Sequence, residues 1–396
     1  MQRLSFFLMI IVLILFLASC ASTSRSQPTN PQIEKTSIPS VFPTDSFLSD
    51  ASNPYMNCLS PAIEMNVERA AHTATLLLDG RVLIAGGFRE EGTSEIAIAG
   101  VEIFDPETSS FLSTGDMNEP RDGHTATLLP NGQVLIVGGW NQNSRSSTAE
   151  IYDPKTGKFE YTGNLMAPRQ GFTATLLKND QVLIAGGDSA HNKSQLIAEL
   201  YDPATKTFTP TGSLNSGRMA HTATLLNDGK VLLVGGSSGN DRILASAEIY
   251  DPETGNFTLT SNANIIRYKH SAVLLEGGNV LILGGSNQND WTGKYNSAEI
   301  YDFKSSQFIK ISDMNGKRFK LAGAAVLLPD GNVLVAGGNR QIEIFDAQNK
   351  RFVLGDKLDK DYFYSVLTRL QNGQVLITGG YNANIQPSNK AWLYCK

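Results

Sequence analysis

Arg121-Asp122-Gly123-His124-Thr125-Ala126-Thr127-Leu128-Leu129 runs into a turn at Pro130-Asn131-Gly132, then into Val134-Leu135-Ile136-Val137-Gly138-Gly139. A polar loop follows, then Ala149-Glu150-Ile151-Tyr152-Asp153-Pro154. The chain writes this unit seven times. Its Gly-Gly pairs stand at Gly86-Gly87, Gly138-Gly139, Gly186-Gly187, Gly235-Gly236, Gly284-Gly285, Gly337-Gly338 and Gly379-Gly380, between 42 and 53 residues apart. Length alone, at 396 residues, suggests about two or three domains. A period near ~50 residues overrides that estimate, because units of this kind bury their apolar faces only by stacking into one body.

Each unit holds four strand signals. The first starts at His72, His124, Phe172, His221, His270, Gly323 and Ser365, and alternates small or polar with apolar residues. An Asp79-Gly80, Asn131-Gly132 or similar dipeptide then tolerates positive φ and makes a two-residue hairpin. The second strand, such as Val82-Leu83-Ile84-Ala85, is apolar on both faces and must be covered on both. The third is Glu102-Ile103-Phe104-Asp105 and its copies at Glu150, Glu199, Glu248, Glu299 and Glu343. The fourth carries Phe111, Phe159, Phe208, Phe257, Phe308 or Phe352.

Gly-Gly, then Tyr-Asp-Pro, then an aromatic strand resembles the kelch repeat, with Phe where the family usually has Trp. The resemblance runs from about Tyr55 to the end and implies an all-β, seven-bladed kelch-type β-propeller. It is specific for fold and unspecific for function, since one fold hosts many activities.

The N-terminus reads differently. Met1-Gln2-Arg3 and an apolar run from Leu4 to Leu17 form a signal peptide over 1–19, too short for a membrane span. Leu17-Ala18-Ser19-Cys20 resembles a bacterial lipobox, which implies that Cys20 becomes the lipid-modified N-terminus. Residues 20–54, rich in Ser, Thr, Pro and Asn, read as a flexible tether, and 55–396 as the propeller. The expected location is extracytoplasmic, on the cell envelope, with the lipid as the sole membrane contact. Ala21 after the Cys resembles the pattern that sorts to an outer membrane where the cell has two.

The seventh unit stops one residue after Ala391-Trp392-Leu393-Tyr394-Cys395 and lacks its outer strand. Residues Cys58 to Ile63 align with an outer strand, so they are expected to complete the last blade, which resembles the usual propeller clasp. Cys395 takes the Asp153 position and Cys58 the Lys158 position. These flank the hairpin turn between third and fourth strands, so the two would face each other at disulfide distance. An exported protein permits the bond, and the alternative is two buried thiols. A bridge closing so long a loop contributes about 4–5 kcal/mol in the chain-entropy model.

Function is less determined. Net charge is −5, with both signs mixed and no basic stripe, which excludes a nucleic-acid partner. The loops after the Gly-Gly pairs vary most and carry Phe88, Trp140, Trp291, Tyr295 and Tyr381 among amides and charges. Such a face suits a protein segment or an envelope glycan; its bland alternative is polar loops with a few packed rings. Arg69, Arg121, Arg169, Arg218 and Arg267 recur before the inner strand and read either as a basic rim for carboxylates or as scaffold. His191 alone among the histidines lies off the register. No catalytic residues, cofactor or metal ligands are expected. The copper site of galactose oxidase, a kelch enzyme, needs a Cys-modified Tyr, and both non-lipid cysteines belong to the clasp. The reading is therefore a monomeric, surface-anchored binding module. Its rival is an epimerase- or lyase-like carbohydrate enzyme, which a deep polar pocket with a strongly shifted carboxyl at the channel mouth would favour.

Overall fold

The computed structural model describes residues 53–189, 194–239 and 242–395. The signal peptide, Cys20, nearly all of the tether, and His191 lie outside the described residues. Every regular element described is a β-strand. Seven antiparallel four-stranded sheets form the body, with one two-stranded hairpin inserted in the first. Blade 2 shows the plan: Thr125–Leu128 innermost, then Val134–Val137, Ala149–Asp153 and Lys158–Tyr161. The inner strands of successive blades touch around the ring, and Val366–Arg369 of blade 7 touches Thr73–Leu76 of blade 1. The ring is a seven-bladed propeller.

The blades stack because their second strands are apolar throughout. Val82–Ala85 and Val134–Val137 are fully buried, each packed between neighbouring sheets. Farther out, third- and fourth-strand rings pair across each blade, as in Tyr152–Phe159 at 4.8 Å and Tyr250–Phe257 at 4.7 Å. The Gly-Gly pair has two separate jobs. Both glycines have positive φ, +60° and +94° at Gly86 and Gly87. A Cβ on Gly86 would also lie 2.5 Å from the Arg121 carbonyl oxygen, and one on Gly87 2.5 Å from that of Ala70. This closeness lets Gly87 N–H donate to Arg121 O of the next blade at 2.8 Å. The same bond recurs at every junction, through to Gly380 N–H on Arg69 O at 3.0 Å.

The ring closes through the N-terminal segment. Blade 7 is ordered Ile63–Arg69, Ser388–Tyr394, Val375–Thr378, Val366–Arg369 from outside in. The outer strand runs farther than the expected Cys58–Ile63: a bridge at Leu59–Tyr394 starts it, and pairing continues to Arg69 opposite Ser388. It continues because the same strand must carry Arg69 into blade 1. Cys58 and Cys395 form a disulfide, with Cα atoms 4.8 Å apart. Asp356 of blade 6 accepts the backbone N–H groups of Asn57, Cys58 and Leu59, so the segment is held from two blades.

Candidate functional site

Each inner strand is preceded by the same three-residue step: a large residue, then two variable ones. The large residue is Arg in six blades. Arg69, Arg121, Arg169, Arg218, Arg267 and Arg318 are fully buried. Arg218 shows the pattern: Nη1 donates to Gly235 O at 2.6 Å and Ser246 O at 3.0 Å, and Nη2 to Glu248 Oε1 at 2.6 Å. Glu248 Oε2 in turn accepts Asn215 N–H and Nδ2–H at 2.7 and 3.0 Å. Each Arg comes from the end of one blade and its Glu from the third strand of the next, so the pair joins blades. Burial lowers the pKa of Arg69, Arg169, Arg218, Arg267 and Arg318, opposed by the paired carboxylate. Their ordinary value lies far enough above neutral to keep them charged. With their charge buried and paired in the scaffold, the arginines do not form a basic rim.

The inner-strand histidines are scaffold as well. Nε2 of His72, His124, His221 and His270 bonds Thr378, Thr73, Thr173 and Thr222 of the preceding blade, at 2.8–3.1 Å. Burial, then the neighbouring Arg charges, drive their pKa values far down, to about 3 at His124, so they stay neutral.

The third residue of the step lies at the channel mouth. In order around the ring it is Ala71, Gly123, Gly171, Ala220, Lys269, Lys320 and Tyr364. All seven adopt left-handed backbone, with φ between 50° and 63°. Backbone bonds link neighbours, as in Lys269 N–H to Ala220 O at 2.9 Å and Tyr364 N–H to Lys320 O at 3.1 Å. The backbone is thus uniform while the side chains are not. Blades 1 to 4 present nothing larger than a methyl group; blades 5 to 7 present two lysines and a tyrosine.

This asymmetry leaves a cavity of about 840 Å³ at the mouth, continuing down between the first residues of the inner strands. One wall carries Glu95, Asp122, Arg145, Gln170 and Asp188; the other carries Phe88, Tyr268, Lys269, Tyr364 and Tyr381. Glu95 reaches the cavity from the hairpin Phe88–Glu91/Ser94–Ala97. Asp122 makes no side-chain hydrogen bond or ion pair among the described residues. Burial, then the charge of Glu95, pushes its carboxyl up to about 7. The lysine of blade 5 is neutralised: Lys269 Nζ donates to Asp290 Oδ2 at 2.5 Å, and Tyr268 donates to the same carboxylate. Burial would raise Asp290, but these bonds hold it below the usual carboxylate range.

Lys320 does not line the cavity. Its Nζ lies 4.7 Å from the Trp291 ring centroid and 5.0 Å from those of Phe319 and Tyr381, and it donates to the Tyr381 hydroxyl. Burial, then Lys269, lowers it to about 8. No carboxylate pairs with it among the described residues; ring faces take that place.

The five aromatics singled out in the sequence therefore have different fates. Phe88 and Tyr381 are buried together, 5.8 Å apart, in an apolar cluster whose edge lines the cavity. Trp291, 43% exposed, caps Lys320. Trp140 stacks under Arg145 at 5.6 Å, and Tyr295 lies 6.0 Å from Arg267; neither lines the cavity. Asp122, Glu95, Lys320 and Tyr364 were missed. A signal exists for Lys320 and Tyr364, at the third position of the step, where the seven copies disagree; Asp122 stands one position earlier and Glu95 on the inserted hairpin, off that register.

Family models match at two places: the KLHDC2/KLHL20/DRC7 kelch-repeats domain over residues 40–236 and the kelch motif over 218–262. Among curated proteins the chain is similar to the F-box/kelch-repeat protein SKIP30 of Arabidopsis thaliana, 32% identical over 78 residues. That stretch covers 20% of this chain and 21% of the plant protein, so the chain spans about a fifth of that relative's length. Among solved structures it is similar to a fungal alcohol oxidase of the AA5 family, in complex with copper. The TM-score is 0.69 at 16% identity, over 85% of this chain and 76% of that one. At that identity the likeness is one of fold. Among the described residues no three His, Cys, Asp or Glu side chains gather closely enough to hold a metal ion.

Proposed function

Because the chain belongs to the kelch-repeat β-propellers, we propose that it is an envelope-anchored recognition module that seats a protein partner in the mouth cavity. A kelch propeller suggests a protein-binding module. Cys20 carries the lipid, the tether spaces the body from the membrane, and the propeller works extracytoplasmically as a monomer. An envelope glycan is the other ligand that such a face suits. The observation carrying the reading is the convergence of irregularity. The scaffold repeats blade after blade, while the positions that break the repeat gather around one cavity of about 840 Å³. Six of the seven third-position residues line this one cavity, and side chains that differ on a repeated backbone frame suit a site for a ligand.

The test is an envelope pull-down with the full chain against Ala220→Trp. Ala220 already holds a Cβ at φ 50°, so a larger side chain adds little strain and fills the mouth. A partner retained by the native chain and lost with the plug supports the reading; a partner retained equally by both contradicts it.

Asp122 favours a second reading, a carbohydrate-acting enzyme. A carboxyl with a pKa near 7 in a cavity of this size suits general acid catalysis. Turnover of envelope sugars by the native chain, abolished by Asp122→Asn, would establish it; absence of turnover would leave the recognition module.

A further inference from the structure

We infer that the mouth cavity selects a cationic group, a lysine or arginine side chain of the partner protein, between the Asp122–Glu95 wall and the tyrosine wall. The inference rests on the recognition reading above and names what that site recognises.

The two cations of the cavity wall are already neutralised, Lys269 by Asp290 and Arg145 by Asp188. Asp122 and Glu95 have no cationic partner among the described residues. Lys320, the remaining unpaired cation of the mouth among the described residues, stands outside the cavity, so Glu95 and an ionised Asp122 leave a surplus of one negative charge, which an incoming cation would satisfy.

Hydrogen-bonding capacity points the same way and is independent of net charge. Asp188 is 2% exposed and lines the cavity. It spends one oxygen on Arg145; Oδ1 is buried with no partner among the described residues. A buried acceptor left open costs free energy until a donor arrives. Gln170, on the same wall, adds a further amide acceptor. An ammonium brings three donors and a guanidinium five, without an acceptor to repel these oxygens.

The opposite wall supplies aromatic rings. Tyr268, Tyr364 and Tyr381 line the cavity, and aromatic faces attract cations within about 6 Å. Lys320 already exploits the same rings from outside the cavity. It is fixed there by the Tyr381 hydroxyl and does not occupy the space.

A cation needs Asp122 ionised. The groups that share the cavity with Asp122 on this side are Glu95 from the blade 1 hairpin, Tyr364 from blade 7, neutral His124 two residues on, and the Arg145–Asp188 pair from blades 2 and 3. Lys320 and the Lys269–Asp290 pair stand farther round. Burial, helped by the Glu95 charge, keeps Asp122 protonated below about pH 7, so affinity for a cation rises as pH rises through 7.

Saturation-transfer NMR titrations of the full chain in detergent test this, using the N-acetyl methylamides of lysine, arginine, norleucine and glutamate. At pH 8 the lysine and arginine probes should bind at least ~10-fold more tightly than the other two. Their affinity should fall by up to ~10-fold per pH unit below 7. Asp122→Asn should erase both the preference and the pH dependence, and Glu95→Gln should weaken the preference in a chain whose scaffold is untouched. Equal or tighter binding of norleucine or glutamate overturns the inference, as does binding of no probe at all. The plug variant separates the two claims. If the cationic probes fail while Ala220→Trp still loses the envelope partner, the mouth remains the binding surface and only its chemistry is wrong. If the plug changes nothing, the recognition reading itself falls.

Discussion

Arg121 and Asp122 are neighbours in the chain with opposite situations. The first is fully buried, with carbonyls and two glutamates taking its charge; the second is partly exposed in a cavity, with no partner among the described residues. The contrast extends around the ring. One layer, made of Arg, Glu, His, Thr and Gly-Gly, repeats because it joins each blade to the next. The layer directly beside it varies, because no bond common to all the junctions runs through its side chains. Stability and recognition thus occupy adjacent residues of the same short step.

The scaffold layer should break first under acid. The four buried histidines have folded-state pKa values below their unfolded ones, so the unfolded chain binds more protons below about pH 6.5. Stability should therefore fall as pH falls, by up to ~1.4 kcal/mol per pH unit for each histidine. Denaturant titrations between pH 7 and 4 measure the slope. His221→Phe, which copies Phe172 of blade 3, should reduce it by about a quarter; an unchanged slope would show that the histidines do not carry the acid sensitivity.

Next comes the ion-pair junction. Arg218→Met strands a buried carboxylate and should cost about 3–5 kcal/mol in urea unfolding. Blade 7 shows that the junction can be made otherwise. There Tyr362 stands for Arg and Trp392 for Glu, with rings 5.2 Å apart, and the Tyr362 hydroxyl donates to Asp359. The pair Arg218→Tyr with Glu248→Trp should therefore cost less than either single change, since an apolar pair avoids desolvating two charges. A double variant costing as much as either single would refute that.

Much of this was legible in the sequence. The Gly-Gly register, the Asp-Gly turns and the spare N-terminal strand specify blade count and seam, because each is a local device whose partner lies at a fixed repeat distance. Cys58 and Cys395 could be paired because both sit at known positions of one hairpin. Cys58→Ser with Cys395→Ser should cost about 2–4 kcal/mol, less than the full loop-entropy value, since Asp356 and the strand ladder still hold the segment. Retention of full stability under reduction would show that the bridge adds nothing.

The mouth was much less legible. Exposed-type aromatics drew attention to Trp140 and Tyr295, which turn toward local cations, whereas Asp122, Glu95 and Tyr364 come from blades 2, 1 and 7. Convergence of that kind leaves no linear motif. Tyr364 shows as disagreement at the third position of the step, but Asp122 stands one position earlier and Glu95 on an insertion that only blade 1 carries, so only the closed ring brings them together.

The smallest effect should fall on the mouth layer. Asp122 has a folded-state pKa raised from 3.8 to about 7, so the folded chain binds more protons between those values and loses stability as pH rises through them. Asp122→Asn should therefore be more stable than the native chain above pH 7, by roughly 1 kcal/mol after solvent screening, and no different below about pH 4. A destabilised Asn variant at pH 8 would mean that Asp122 has a structural partner after all.

A variable mouth set on a uniform frame is tested most directly by site-specific photocrosslinking in living cells from the two faces of the ring. A benzophenone side chain would be placed at Ala220 in the mouth and, separately, at Asn131 in a hairpin turn on the opposite face. One discrete envelope protein should be captured from Ala220 and none from Asn131. Capture from Asn131 with none from Ala220 would contradict the mouth as binding surface, and would move recognition to the face where the blades are alike.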